Sequence, residues 1–423
     1  MTPLTHAFDK LDGFSFLSSD EKAGKSRVSD GFQTGRPEIL ISVHDDFEPL
    51  KTVWQALERK GDGTPFQTFA WLSAWQRHIG TKQGVTPAIV VGWDSQGGAL
   101  FIFPFGVERG LICNRLVWLG GEISDYHGPL LAQDFARHVS PAQFGTLWDD
   151  IRDLLPTHHM VSLGRMPERV GAQANPFMSL GGMRRHPSSA HMTMLKEDWA
   201  SYYAEKRSSG SKKRDKQKRR KTEELGAVEF VSPDTAEAKL ATLEALIAQK
   251  SVAFQRMGVT NFFEKPGYLD FYRSLAADPE AEGLLHLSHL DVGGIVAAAS
   301  CGVSFGGRYY YVLASYDEKA EAARFGPGVI QLMELMQHAT ENGHTVFDFT
   351  IGDESYKEQW CEVEVPLFDY VEPNTLAGWA GLGPRVACLE AKRFIKQTPV
   401  LWNAFTRVRA ALGALSGARP ARA

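Results

Sequence analysis

At 423 residues the chain is longer than one average domain, so two are expected, with tails. Its 43% hydrophobic and 23% charged content is ordinary for a soluble globular protein, and the net charge of −4 conceals local asymmetry. Cys113, Cys301, Cys361 and Cys388 are far apart with no CxxC pair, and the histidines form no HExxH. A disulfide framework and a metal centre are therefore not expected. No apolar run approaches the ~18 to 20 residues of a membrane span. The N-terminus has no apolar signal-peptide core, so a cytoplasmic location is expected.

Residues 1–37 are polar and rich in Gly and Ser, which predicts disorder or loose attachment. Glu38 to Val43 reads as a strand, and Phe47, Leu50, Trp54 and Leu57 space a helix that Gly61 stops. A second helix carries Phe66, Phe69, Trp71, Leu72 and Trp75, aromatics that suit a core, although Trp75 could also line a pocket. Ala88 to Trp93 and Ala99 to Val107 make a hairpin at Gly97-Gly98, and Leu116 to Leu119 a third strand. Ser124, Asp125 and Tyr126 follow in a turn. A helix (Ser140 to Leu155) and a strand (His159 to Leu163) close this half.

The second half repeats the order of helices, three strands, helix, strand. Thr235 to Lys250 and Phe262 to Ala277 are the helices. Leu284 to Leu290, Ile295 to Ser304 and Arg308 to Ala314 are the strands. Arg324-Phe-Gly-Pro-Gly328 then turns into a long helix, Val329 to Asn342, ahead of a strand from Thr345 to Thr350. A helix N-terminus offers unpaired N–H groups and partial positive charge, and glycines let that backbone approach an anion. Pro327 suits the first helical turn. The polar cluster Gly352, Asp353, Glu354, Tyr356, Lys357 and Trp360 follows at the strand's carboxyl end, where α/β sites lie.

Between the halves, Lys212, Lys213, Arg214, Lys216, Lys218, Arg219, Arg220 and Lys221 form a basic run. It reads either as a solvated connector or as a contact for a polyanion such as cofactor phosphates. It lacks the interleaved aromatics of single-strand nucleic-acid sites, so nucleic acid ranks lower. The tail from Leu376 is basic and amphipathic, suited to an anionic membrane surface or to packing on its own protein.

Gly307 to Leu313, Arg324 to Gly328 and the run from Phe347 to Trp360 resemble the CelD-type branch of the GNAT N-acyltransferase superfamily, related to FemABX-like peptidyl transferases. The resemblance implies an α/β fold of two tandem GNAT-like domains joined by a basic segment, with a helical C-terminal tail. The divisions are 1–37, 38–195 (N-terminal domain), 196–228 (basic connector), 229–375 (donor domain) and 376–423 (tail). It implies acetyl-CoA or another acyl-CoA as donor, held by Leu313, Ala314, Arg324, Gly326, Gly328 and Val329. The superfamily's usual Gln or Arg three residues before the first glycine is replaced here by Ala323.

An acceptor amine has a pKa near ~10.4, so a proton must be removed before it attacks the thioester. Asp348, Glu354, Tyr356 and Lys357 are the catalytic candidates, Lys357 foremost. Asp348 sits between Phe347 and Phe349 and so faces away from them, onto an exposed face or into the cleft. Trp75, Asp125, Tyr126 and Asp353 are the candidates for the acceptor. By resemblance that acceptor is a small molecule or an amino sugar in cell-surface polysaccharide production. Two alternatives stay open: a FemABX-like transferase using aminoacyl-tRNA, and a non-catalytic scaffold that meets a polysaccharide synthase or the inner membrane face through its tail.

Overall fold

A computed structural model describes residues 27–28, 39–111, 113–352 and 354–398. The chain divides into two compact units, one of Met1–His186 with Pro366–Cys388, the other of Pro187–Val365 with Leu389–Ala423.

The first unit is built on a nine-stranded sheet. The expected hairpin is present as Val85–Trp93 against Ala99–Glu108, with Ala88 opposite Phe105. Every residue from Leu100 to Val107 is buried, so this strand is covered on both faces. Phe177 plugs one face, with its ring centroid 5.1 Å from Phe103 and Trp118 and 5.0 Å from Phe144. The helix Pro141–Leu154 starts from a Ser140–Gln143 capping box and buries Phe144, Leu147, Trp148 and Ile151 against this core.

The boundaries differ from those expected at three places. Leu367–Pro373, read as the end of the donor domain, pairs antiparallel with Met160–Pro167 in the first unit's sheet, with Val371 opposite Ser162. Ala190–Met194, read as the end of the first domain, belongs to the second. Arg27–Val28, inside the stretch expected to be loose, pairs with Leu40–His44. Strand partners so far apart in sequence leave no local periodic signal. Beyond Leu376–Gln397, which is helical, the expected tail lies outside the described residues.

The elements of the second unit are β1 (Ala190–Met194), α1 (Trp199–Lys206), α2 (Ser209–Glu223), β2 (Val228–Val231), α3 (Ala236–Met257), α4 (Tyr268–Ala277), β3 (Leu285–Val292), β4 (Ile295–Phe305), β5 (Arg308–Tyr316), α5 (Pro327–Glu341), β6 (Val346–Ile351) and β7 (Val363–Val365). The seven strands run β2-β3-β4-β5-β6-β1-β7. The basic run is thus no linker: it is α2, a helix inside this unit, N-capped by Ser208. On one face of the sheet, Tyr309, Tyr311, Phe347 and Phe349 pack against Leu332, Leu335, Met336 and Ala339 of α5. Helix α3 packs on β4 and β5 and runs on past Lys250 to Met257, ending at Gly258 with φ of 61°.

Two irregularities open this sheet. The β4–β5 ladder slips between Cys301 opposite Leu313 and Gly302 opposite Tyr311, so Val312 is bulged out of the pairing. The parallel β5–β6 ladder holds only from Arg308 opposite Val346 to Tyr310 opposite Asp348. Beyond that point β5 continues to Tyr316 and β6 to Ile351 unpaired with each other.

Candidate functional site

The splayed ends of β5 and β6 form one wall of a cleft of about 780 Å³. Tyr311, Val312, Ala314, Ser315 and Tyr316 line it from β5, and Phe349, Thr350 and Ile351 from β6. At the apex Thr350 takes φ of 57°, a left-handed conformation for a β-branched residue. Two bonds hold it there: its N–H donates to Asp348 Oδ1 at 2.7 Å, and its hydroxyl donates to the Tyr311 carbonyl at 3.3 Å across the splay. Asp348 is therefore a buried brace, 2% exposed and absent from the cleft wall. It is therefore not on an exposed face, and it does not line the cleft.

The glycine turn closes one end of the cleft. Gly326 has φ of 74° and caps α5, whose first turn has no side-chain cap. Gly326, Gly328 and Val329 line the cleft there, and Ala314 lines it from β5. Leu313 and Arg324 do not. Leu313 is buried opposite Cys301, while Arg324 pairs with Glu321 and lies over the Phe325 ring at 4.8 Å. Among the cations that line the cleft, Arg214 and Lys218 come from α2, one helical turn apart.

Helix α2 is held in place by a buried ion pair. Arg207 donates to both oxygens of Asp215 at 3.0 Å, lies 4.7 Å over the Trp360 ring and reaches Gln359 Oε1 at 3.3 Å. The Tyr203 hydroxyl donates to the same carboxylate at 2.9 Å. Arg219 also pairs with Glu334 on α5. The sequence signal was Asp215, the one acid inside the basic run. With Thr222, also buried, it marks an inward face at helical spacing.

Glu354, Tyr356 and Lys357 also line the cleft, whereas Asp353 lies outside the described residues. Lys357 is only 2% exposed, and its ammonium donates to the carbonyls of Thr350, Ile351 and Gly352 at 3.1–3.3 Å. Glu354 Oε2 stands 3.0 Å from it. These contacts make Lys357 a staple for the end of β6. Tyr356 is 37% exposed as a whole, yet the loss of water around its phenol pushes that group above its ordinary value, so it keeps its proton at neutrality.

Sequence reasoning missed Lys250. It stands on the buried stripe of α3 that includes Leu243, Leu246, Ile247 and Phe254, and it lines the cleft. Its Nζ donates to the Ala314 carbonyl at 3.0 Å and lies 5.5 Å over the Phe254 ring. Burial pushes its pKa below the ordinary lysine value, with Glu354 pulling the other way.

The remaining acceptor candidates lie in the first unit. Trp75 and Tyr126 are buried: the Trp75 ring packs beside Gly121, and the Tyr126 carbonyl accepts from Gln67 Nε2 at 3.0 Å. Asp125 is half-buried. Among the described residues no group of three or more His, Cys, Asp or Glu is placed to hold a metal ion, and no helix is long and apolar enough to cross a membrane.

A mixed sheet whose fourth and fifth central strands part beside a glycine-turn helix is the GNAT fold, and comparison with known proteins agrees. Residues 209–358 match the family described as an acetyltransferase (GNAT) domain, a match that spans α2 to the end of the polar cluster. FemX shares the fold at a TM-score of 0.54 and 11% identity, over 76% of this chain and 96% of FemX. L-PGS from Bacillus licheniformis aligns at 0.47 and 15% identity, over 83% of this chain and 98% of L-PGS. A tandem GNAT protein from the clavulanic acid biosynthesis pathway aligns at 0.40 and 9%, over 80% and 100%. No curated protein sequence matches the chain.

Proposed function

We propose that this protein is an acyl-CoA-dependent N-acyltransferase, with its donor lying in the opening between β5 and β6. The observation that carries this reading is the parting of those strands after Tyr310 and Asp348, next to the glycine turn and the α2 cations. A pantetheine arm is a thin chain with amide groups, and an unpaired strand edge offers it N–H and C=O partners. The donor's phosphates would meet the first turn of α5 together with Arg214 and Lys218.

In this reading the acceptor amine attacks the thioester carbon beside the bulged Val312, whose backbone is released from the β4 ladder. The departing sulfur takes its proton from Tyr356, which is protonated at neutral pH. From the resemblance, the acceptor is an amine of a small molecule or an amino sugar of cell-surface polysaccharide biosynthesis, and the chain works in the cytoplasm or at the inner membrane face. A FemABX-like use of aminoacyl-tRNA draws its support from α2, where Lys213, Lys216 and Arg220 face solvent. It predicts tRNA binding that weakens steeply with salt.

The test is calorimetric titration of acetyl-CoA and longer acyl-CoAs into the wild type and Gly328→Asp. A Cβ at Gly328 meets only Tyr316 Cδ1 at 3.8 Å, so the variant should fold while its carboxylate repels phosphate. Binding to the wild type and its loss in the variant are expected. No binding to the wild type ends the acyl-CoA reading.

A further inference from the structure

We propose that Lys250 is the general base of the transfer, taking a proton from the acceptor's ammonium before the freed amine attacks the thioester. This rests on the acyl-CoA reading above and goes beyond it by naming the group that makes the acceptor nucleophilic.

Geometry is the first ground. Ala314 lies on β5 past the last residue paired with β6, so its carbonyl marks the wall of the opening. The Lys250 nitrogen, 3.0 Å from that carbonyl, is anchored beside the path assigned to the donor. An anchored amine at a fixed distance from the thioester path is what proton removal requires.

Solvation is the second. Lys250 is half-buried, on the face of α3 that buries Leu243, Leu246, Ile247 and Phe254, and has given up part of its water. Among the described residues Nζ donates to the Ala314 carbonyl, which is neutral. A neutral amine satisfies that carbonyl with one N–H and keeps a lone pair for the cleft.

The charges around it point the same way. From α2, Arg214 and Lys218 line the cleft as cations, and Asp215 is spent on Arg207. From the segment after β6 come Lys357 and Glu354, 3.0 Å apart, so Glu354 is shared between two lysines. From β5 come Tyr311, whose phenol burial holds protonated, and Tyr316. On α3 itself Arg256 pairs with Glu318 at 2.8 Å.

The step balances. The acceptor R–NH3+ breaks one N–H bond and Lys250 gains that proton, after which R–NH2 forms the C–N bond to the thioester carbon. When the C–S bond breaks, its electron pair leaves on sulfur. The second proton shed by nitrogen replaces the one Tyr356 gives to that sulfur. Lys250 returns its proton to solvent, leaving amide, free thiol and one released proton.

The experiment uses the full chain and two readouts. Pulse labelling with isotopic acetic anhydride across about pH 6 to 10 compares Lys250 with exposed Lys213 by mass spectrometry. Lys250 should become reactive at lower pH than Lys213, and coenzyme A should slow its labelling. Titration together with Lys213, or no protection by bound coenzyme A, would overturn the proposal. Transfer from acetyl-CoA to glucosamine is then measured for Lys250→Gln and Lys250→Arg. Both should lose kcat by roughly a hundredfold or more while acetyl-CoA affinity stays within about threefold. Arginine can still donate to the Ala314 carbonyl but stays protonated and cannot act as a base. Rescue by Lys250→Arg would therefore make the residue a positioning group and sink the base role alone, whereas a wild type that binds no acetyl-CoA would sink the donor reading with it.

Discussion

The Lys218 ammonium lies 3.4 Å from the point where a Cβ on Gly326 would stand, so the basic helix and the glycine turn serve one anion site. A charge-assisted bond to phosphate contributes about 1.5–3 kcal/mol, so Lys218→Ala should weaken coenzyme A binding roughly tenfold or more. It should also flatten the salt dependence of that binding. Arg324→Ala, at the cation expected from sequence, should change affinity by less than about twofold. Calorimetry at two salt concentrations decides between the two residues, and the reverse pattern would return the anion site to Arg324.

The buried pair of Arg207 and Asp215 ties α2 to the unit, which makes Asp215→Ala more than a surface change. Leaving the Arg207 charge uncompensated costs about 3–5 kcal/mol. It also frees the helix that carries Arg214 and Lys218. The expected outcome is a lower unfolding midpoint together with weakened coenzyme A binding. Unchanged affinity in a destabilised protein would show that α2 keeps its cations in place without the pair.

Much of the second unit could be read locally, because its signals are local. The glycine pair at 293–294, the Gly-Pro-Gly turn and the apolar face of α5 each lie within a few residues. The observed helix, Pro327–Glu341, and strand, Val346–Ile351, fall close to the expected ranges. Alternation put Asp348 opposite Phe347 and Phe349, but periodicity assigns a face and not a neighbour. The neighbour proved to be the Thr350 backbone. Lys250 escaped because the helix was ended there, although a lysine among Leu243, Leu246, Ile247 and Phe254 breaks an apolar stripe at a position that calls for explanation. The strands Ala190–Met194 and Leu367–Pro373 pair with partners more than a hundred residues away, and nothing in their own composition says which.

Lys357→Met separates stapling from catalysis. Methionine fills similar volume, but three carbonyls at the end of β6 lose their donor, at about 1–3 kcal/mol for each that water cannot reach. A lower melting temperature and faster hydrogen exchange at Ile351 and Gly352 are expected. If stability and exchange match wild type while transfer is lost, the lysine acts on substrate instead.

His286 makes the second unit acid-sensitive. Its Nδ1 is 2.8 Å from the Tyr309 hydroxyl, its Nε2 is 2.9 Å from Ser232 Oγ, and its ring stacks on His338 at 4.8 Å. Burial, with His338, His344 and Lys239 adding repulsion, pushes its pKa down to about 3. In the unfolded chain the imidazole titrates near 6.5, so below that pH the unfolded state binds the extra proton. The contribution is therefore complete above about pH 6.5 and is lost as pH falls toward 3, with about 2 kcal/mol gone at pH 5. Hydrogen exchange of β3–β5 amides at pH 7 and pH 5, corrected for intrinsic rates, reads this unit by itself. In His286→Gln the difference between the two pH values should shrink by about 2 kcal/mol. An undiminished difference would mean that the folded protein carries His286 charged, or that another group sets the acid limb.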